Sequence, residues 1–218
     1  MRKKRLFVLY CPHLFLPLRL RLESRLHLGN KRKKVFFFVF RSICTTFAAS
    51  MKEVTISDAQ LRRAAGEGMD AFVGCFVSAI KEAIGGELTA ENMQELNSDQ
   101  ITLLAWQTLH DEVMDGGFVQ LIHNGYGMFI FKNPLAKVLK LWGMRDLSKL
   151  IYSAHTLYEK YHEQIERDCT DDEFMALFEQ FPEFDDMDDE FVEKEEEFTE
   201  QIARYIDNNI EKFAKIAQ

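Results

Sequence analysis

From Met51 to the C-terminus, apolar residues recur at close to 3.6-residue spacing, and no stretch alternates convincingly with the period of two that a strand needs. The last such stretch shows the pattern best. At 100° per residue, Met187, Phe191, Phe198, Ile202, Tyr205, Ile206, Phe213 and Ile216 fall on one face. Asp189, Glu193, Glu196, Glu200, Asp207 and Glu211 fall opposite them. A chain patterned this way must bury one stripe of each helix against other helices. The expectation is an all-α fold, a single compact multi-helix domain of about six to eight helices.

Capping and breaking residues divide this body. Ser57 suits the N-cap of a first helix running to about Ile84, stopped by Gly85-Gly86. Thr89 opens a short turn through Leu96, and Ser98 or Asp99 caps the next helix, which Gly116-Gly117 ends or kinks. A short helix from Phe118 to His123 follows, then two more over 133–142 and 145–167, broken at Gly143. Thr170 with Glu173 predicts a capping box for a helix over Asp171 to Gln180. Pro182 interrupts, and the last helix is expected from about Met187 to Lys215.

Between Glu163 and Glu200 stand eighteen Asp or Glu against two basic residues, Arg167 and Lys194. Like charges one turn apart destabilise a helix by a few tenths of a kcal/mol each. A surface under that much repulsion is expected to face a basic partner. The whole-chain net charge of −8 hides the asymmetry, because residues 1–50 hold twelve Lys or Arg and one acid, Glu23. Residues 51–218 therefore hold 15 basic and 34 acidic side chains. Such a body repels phosphates, which argues against direct nucleic-acid binding. On the acidic face of the last helix, neighbouring carboxylates lie about 4.5–6 Å apart by helix rise. With Asp188, Glu190 and Glu197 added, that density becomes comparable to B-form DNA, which carries one charge per about 3.4 Å of each strand.

The first fifty residues are expected to be a basic leader outside the fold, disordered or irregular. They contain two short signal-peptide-like runs, Leu6 to Leu18 and Val35 to Phe47, each preceded by a basic cluster. Neither reaches the roughly 18 residues of a spanning helix. Two origins are open, an export signal or a start codon assigned upstream of the native Met51. The second is preferred, which leaves a domain over residues 51–218 in the cytoplasm. Four cysteines, at 11, 44, 75 and 169, lack metal-type spacing and read as reduced thiols, with Cys75 buried in an apolar helix.

Chemistry-bearing patterns are few. His110-Asp111-Glu112 invites an acid–base or metal reading together with His123, His155 and His162, but adjacent helical positions point in different directions. Asp186, Asp188, Glu190 and Glu197 match part of a calcium loop, yet Phe191 stands where the sharp turn needs Gly. No phosphate loop, nucleophile elbow or zinc motif is present. The expectation is a non-enzyme without metal or cofactor.

One segment remains, Glu112-Val-Met-Asp115-Gly116-Gly117-Phe118-Val-Gln120-Leu-Ile-His-Asn124-Gly125. By its residues it reads as a helix break or as a ligand pocket. The glycines allow unusual backbone angles. Gln120 and Asn124 can bond exposed backbone groups, and Glu112 can bond the amides that open the next helix. The segment resembles the signature of a bacterial domain family of mostly unknown function, the DNA-mimic-like domain that includes DNA mimic protein 19. Phe184-Asp-Asp-Met187-Asp188-Asp-Glu-Phe191 is similar to the family's second recurrent segment, an aromatic, Asp-rich turn opening the final helix. The likeness spans about residues 90–215, with Asp115 where Asn is usual and Leu121 where an aromatic is common.

The resemblance implies an all-α fold and, for at least one relative, occupation of a repressor-type transcription factor's DNA-binding surface. The expected function is an acidic interaction module that blocks a basic DNA-binding protein, transcription regulation being the natural outcome. The carboxylates expected to stand in for phosphates are Asp171, Asp172, Asp185, Asp186, Asp188, Asp189, Glu193, Glu196, Glu197 and Glu200. A homodimer would lengthen the negative strip. Two alternatives use the same residues. One is an immunity or antitoxin protein neutralising a basic nuclease toxin. The other is a small-ligand domain built on Glu112, Gly116-Gly117, Gln120 and Asn124.

Overall fold

The computed structural model describes residues 51–217. The basic leader therefore lies outside the described residues. Among the described residues there are ten α-helices and one pair of very short strands. In chain order these are β1 (Thr55–Ser57), α1 (Asp58–Glu67), α2 (Met69–Ala83), α3 (Ser98–His123), α4 (Gly127–Phe131) and α5 (Leu135–Leu141). Then follow α6 (Arg145–Ile165), α7 (Asp171–Gln180), α8 (Asp185–Glu193), α9 (Glu195–Asp207), α10 (Ile210–Phe213) and β2 (Lys215–Ala217). Single 3-10 turns at Met93–Glu95 and Pro182–Phe184 lead into α3 and α8. The all-α expectation holds, with eight of the helices longer than one and a half turns.

Local capping explains most starts. Ser57 caps α1 and Thr170 caps α7, each through a full capping box, with Gln60 and Glu173 as the reciprocal side chains. The cap of α3 is Asn97, not Ser98 or Asp99. Its extended backbone (φ −81°, ψ 170°) lets the side chain accept the Gln100 N–H. Its amide also donates to the Lys212 carbonyl at 2.7 Å, so the start of α3 is tied to α10.

Three expectations fail for physical reasons. The first helix does not run from Ser57 to Ile84; it breaks at Gly68, whose φ of +128° is open to glycine but not to other L-residues. The last helix does not reach Lys215. It breaks at Lys194 (φ −104°, ψ 7°) and again near Asn209 (φ −143°, ψ 34°). Finally, Lys215–Ala217 is a strand, paired in parallel with Thr55–Ser57. Three residues are too few to show a period of two, and what makes them a strand is a partner more than 150 positions away in the chain.

α3 is the central element, flanked by α2, α4, α5, α6, α8 and α10. Phenylalanine fills the middle, with Phe76, Phe118, Phe184, Phe191, Phe198 and Phe213 essentially inaccessible beside Trp106. The apolar face read in the last stretch is the buried one: Phe191, Phe198, Ile202, Ile206 and Phe213 are in the core. Met187, Tyr205 and Ile216 pack against its edge. Cys75 lies half-buried, not fully buried, and Cys169 is half-buried too; neither forms a disulfide. No described helix is long and apolar enough to cross a membrane.

Candidate functional site

The two recurrent segments meet in space. Gly116 and Gly117 interrupt α3, with Gly117 at φ +71° and ψ −175°. That break frees the Phe118 N–H, which would otherwise bond the preceding turn. Asp188, on α8, fills the gap by accepting this N–H at 2.8 Å through Oδ1. Below the carboxylate, the Phe118 and Phe191 rings meet edge to face, 6.4 Å between centroids. An anion at a freed helix N-terminus is favoured by the helix dipole, and 70 residues of chain separate donor from acceptor. Asp188 thus faces inward, contrary to its expected place among the partner-facing carboxylates.

The rest of the motif forms a second network. Glu112 Oε2 accepts from the Asn124 amide at 2.8 Å and from Gln120 Nε2 at 3.4 Å, and Gln120 also donates to Asp115 at 2.7 Å. So Glu112 bonds side-chain amides of the following half-helix and not its backbone N–H groups. Gln120 and Asn124 bond carboxylates and not backbone. These polar groups bond across the kink, while Gly125 supplies the turn after α3.

The remaining acids divide by their neighbours. Asp171, Asp172, Asp185, Asp186, Asp189, Glu193, Glu196 and Glu197 are exposed. None of the eight forms an ion pair with a described residue. On α8, Asp186, Asp189 and Glu193 fall within about 60° of arc, opposite Phe191. On α9, Glu196, Glu200 and Asp207 fall within about 40° of arc, opposite the buried Phe198, Ile202 and Ile206. The break at Lys194 makes these two short columns and not one continuous strip. Glu200 is half-buried and bonded to Arg204 at 2.5 Å, so its charge is partly spent within the molecule. Glu190 is likewise paired with Lys194, and Glu183 with Tyr161 and Lys160.

A family model described as DMP19-like protein matches residues 94–209, from the turn before α3 to just past α9. The chain is also 40% identical over 129 residues to DNA mimic protein DMP19 of Neisseria meningitidis serogroup B (strain ATCC BAA-335 / MC58). That match covers 59% of this chain and 78% of the relative. The chain belongs to the DMP19-like protein family. Both halves of the Gly117–Asp188 contact lie inside the matched DMP19-like region, whereas β1, α1, α2 and β2 lie outside it.

Sequence reasoning missed one further tie in the DMP19-like region. His110 Nε2 lies 2.8 Å from Glu195 Oε1, with the imidazole packed on Trp106 and Phe191, joining α3 to the first residue of α9. No local signal marks a pair 85 positions apart. The other described histidines are dispersed: His123 bonds the Ile165 carbonyl, His155 bonds Glu159 and His162 bonds the Tyr158 carbonyl. Among the described residues, no group of three or more His, Cys, Asp or Glu is placed to hold a metal ion.

Burial holds the Asp188 carboxyl up at about 6, against the opposing pull of the Phe118 N–H, and Asp185 and Asp189 add to the rise. The folded pKa is therefore above the unfolded one. Between the two, the folded chain keeps a proton that the unfolded chain has released, so this contribution is greatest in acid and is lost as pH rises through about 6. The fall amounts to about 3 kcal/mol at 1.36 kcal/mol per unit. Urea denaturation of wild type and Asp188→Asn from pH 4 to 7 is expected to show the stability gap between them changing by about 2–3 kcal/mol. Parallel curves would remove Asp188 as the titrating group.

Proposed function

We propose that this protein is a DNA mimic that occupies the DNA-binding surface of a basic DNA-binding protein, such as a transcription factor, and keeps DNA off it. The observation that carries the reading is the set of eight exposed carboxylates on and around α7, α8 and α9 that no described cation neutralises. Evenly distributed pairing would have cancelled them, and a solvated face has no need to concentrate them. The relative named as a DNA mimic points the same way. Gln120 and Asn124 both donate to Glu112, which disfavours the reading of that motif as a ligand pocket.

The test is capture on the immobilised protein from a lysate of its own host at about 50 mM salt, followed by elution with duplex DNA. Proteins bound through their DNA-binding surfaces should leave with duplex DNA and with raised salt, because screening weakens exposed charge contacts. Capture of a basic nuclease as the dominant species would turn the reading toward an immunity protein. Retention through both elutions would defeat mimicry.

A further inference from the structure

By its own residues α8 is a poor helix. It has nine residues, six of them acids, and isolated helices shorter than about 12 residues are marginal in water. Its N-cap, Phe184, makes no side-chain bond, and its last turn holds no base. Glu190 and Glu193 stand at the end where the helix dipole disfavours negative charge. The order of α8 therefore comes from tertiary contacts. Three of these fall on α3, and they run along it in reverse. Asp188, in the first turn of α8, accepts the Phe118 N–H at 2.8 Å. Phe191 packs on Trp106, His110 and Phe118, with ring centroids 6.0, 6.5 and 6.4 Å away. Glu195, just past the end of α8, meets His110 Nε2 at 2.8 Å. A carboxylate can only accept, so Nε2 donates. The Thr199 hydroxyl gives Glu195 a second bond at 2.8 Å, and the His110 and Glu195 side chains are only 25% and 18% exposed.

Two inward carboxylates thus pin α8 antiparallel to α3, one near each end, with Phe191 between them. Asp186, Asp189 and Glu193 lie on the opposite side of the same short helix, and their spacing holds only while it stays helical. We infer that Asp188 and Glu195 are positioning residues: they clamp α8 on α3 and so fix the spacing of the carboxylates that the partner's basic surface meets. The inference rests on the proposed function, and it adds residues that act without touching the partner. Released from α3, the six acids would repel one another and the helix would fray. The partner would then have to order the segment on binding, and affinity would fall.

The first arm of the test needs no partner. His110→Phe keeps a ring against Trp106 and Phe191 but removes the donor to Glu195, and it alters no acid. His110→Gln restores a donor. Backbone order parameters are measured by amide nitrogen relaxation on the full chain. Over α8 they should fall from the rigid value of about 0.85 to about 0.6 or lower in His110→Phe, while α2 and α6 stay rigid. His110→Gln should recover most of that loss. Asp188→Ala should loosen α8 in the same way, whereas Asp188→Asn, which keeps an acceptor for the Phe118 N–H, should not. In the second arm, the protein captured from lysate should bind His110→Phe about tenfold more weakly than wild type. Its salt slope should not change, since no exposed charge is lost. A merely structural contact would lower the melting temperature and leave order over α8 and affinity unmoved. Wild-type order over α8 in both His110→Phe and Asp188→Ala would overturn the clamp and leave mimicry standing, as would wild-type affinity in a variant whose α8 is loosened. Failure of capture alongside a loosened α8 would overturn mimicry and leave the clamp as what holds α8.

Discussion

Replacing Asp189 with Asn, Glu193 with Gln and Glu196 with Gln together is expected to weaken binding to the captured partner by about 30- to 100-fold, from roughly 0.7–0.9 kcal/mol per rim charge. All three side chains are exposed, and none is paired with a described residue. Glu200 is left out because removing it would release Arg204, which confuses loss of an acid with gain of a cation. The fold should tolerate the change. Loss of Glu196 from the first turn of α9 costs a few tenths of a kcal/mol, and relief of like-charge repulsion offsets it. The melting temperature is therefore expected to move by about 3 °C or less. Isothermal titration against the captured partner at two salt concentrations checks both parts. Affinity within twofold of wild type, with an unchanged salt slope, would place the interface somewhere else on the molecule.

The second large effect concerns stability. Gly117→Ala is expected to cost about 3–5 kcal/mol, from two sources that act together. A φ of +71° with ψ near 180° belongs to a region that only glycine occupies readily, worth about 1–3 kcal/mol. The added Cβ would also collide with the Asp188 carboxylate, so the charged hydrogen bond to the Phe118 N–H is lost, worth about 1.5–3 kcal/mol. Gly116→Ala is the control. Its φ of −162° is ordinary extended backbone, and its new Cβ would meet the Gln120 side chain, which can swing away. Chemical denaturation of both variants should rank Gly117→Ala as the more damaging by about 2 kcal/mol or more. Equal losses in the two would mean that the contact with Asp188 contributes nothing.

These expectations show where reading residues alone succeeds. The double glycine was recognisable as a break, and the Asp-rich segment as a helix start, because both signals are carried by neighbours in sequence. That the two segments are one contact was not recognisable, since the freed amide and its carboxylate lie 70 positions apart. The same limit applies to His110 with Glu195 and to the strand pair at the two ends of the domain. Conversely, the Thr170–Glu173 capping box was visible at once, being complete within four residues.

The order of residues by itself determined the helical character of residues 51–217, the apolar stripe that becomes the core, and the surplus of carboxylates near the C-terminal end. Helical periodicity and capping are short-range physics, satisfied within a few turns of chain. Tertiary structure alone decided which carboxylates stay exposed and unpaired. Asp188 turned inward because α3 offered it an unsatisfied amide, Glu195 found a histidine, and Glu200 found an arginine. An acidic side chain on a helix is the same in sequence whether it faces solvent or a neighbour, and only the position of the other helices distinguishes the two.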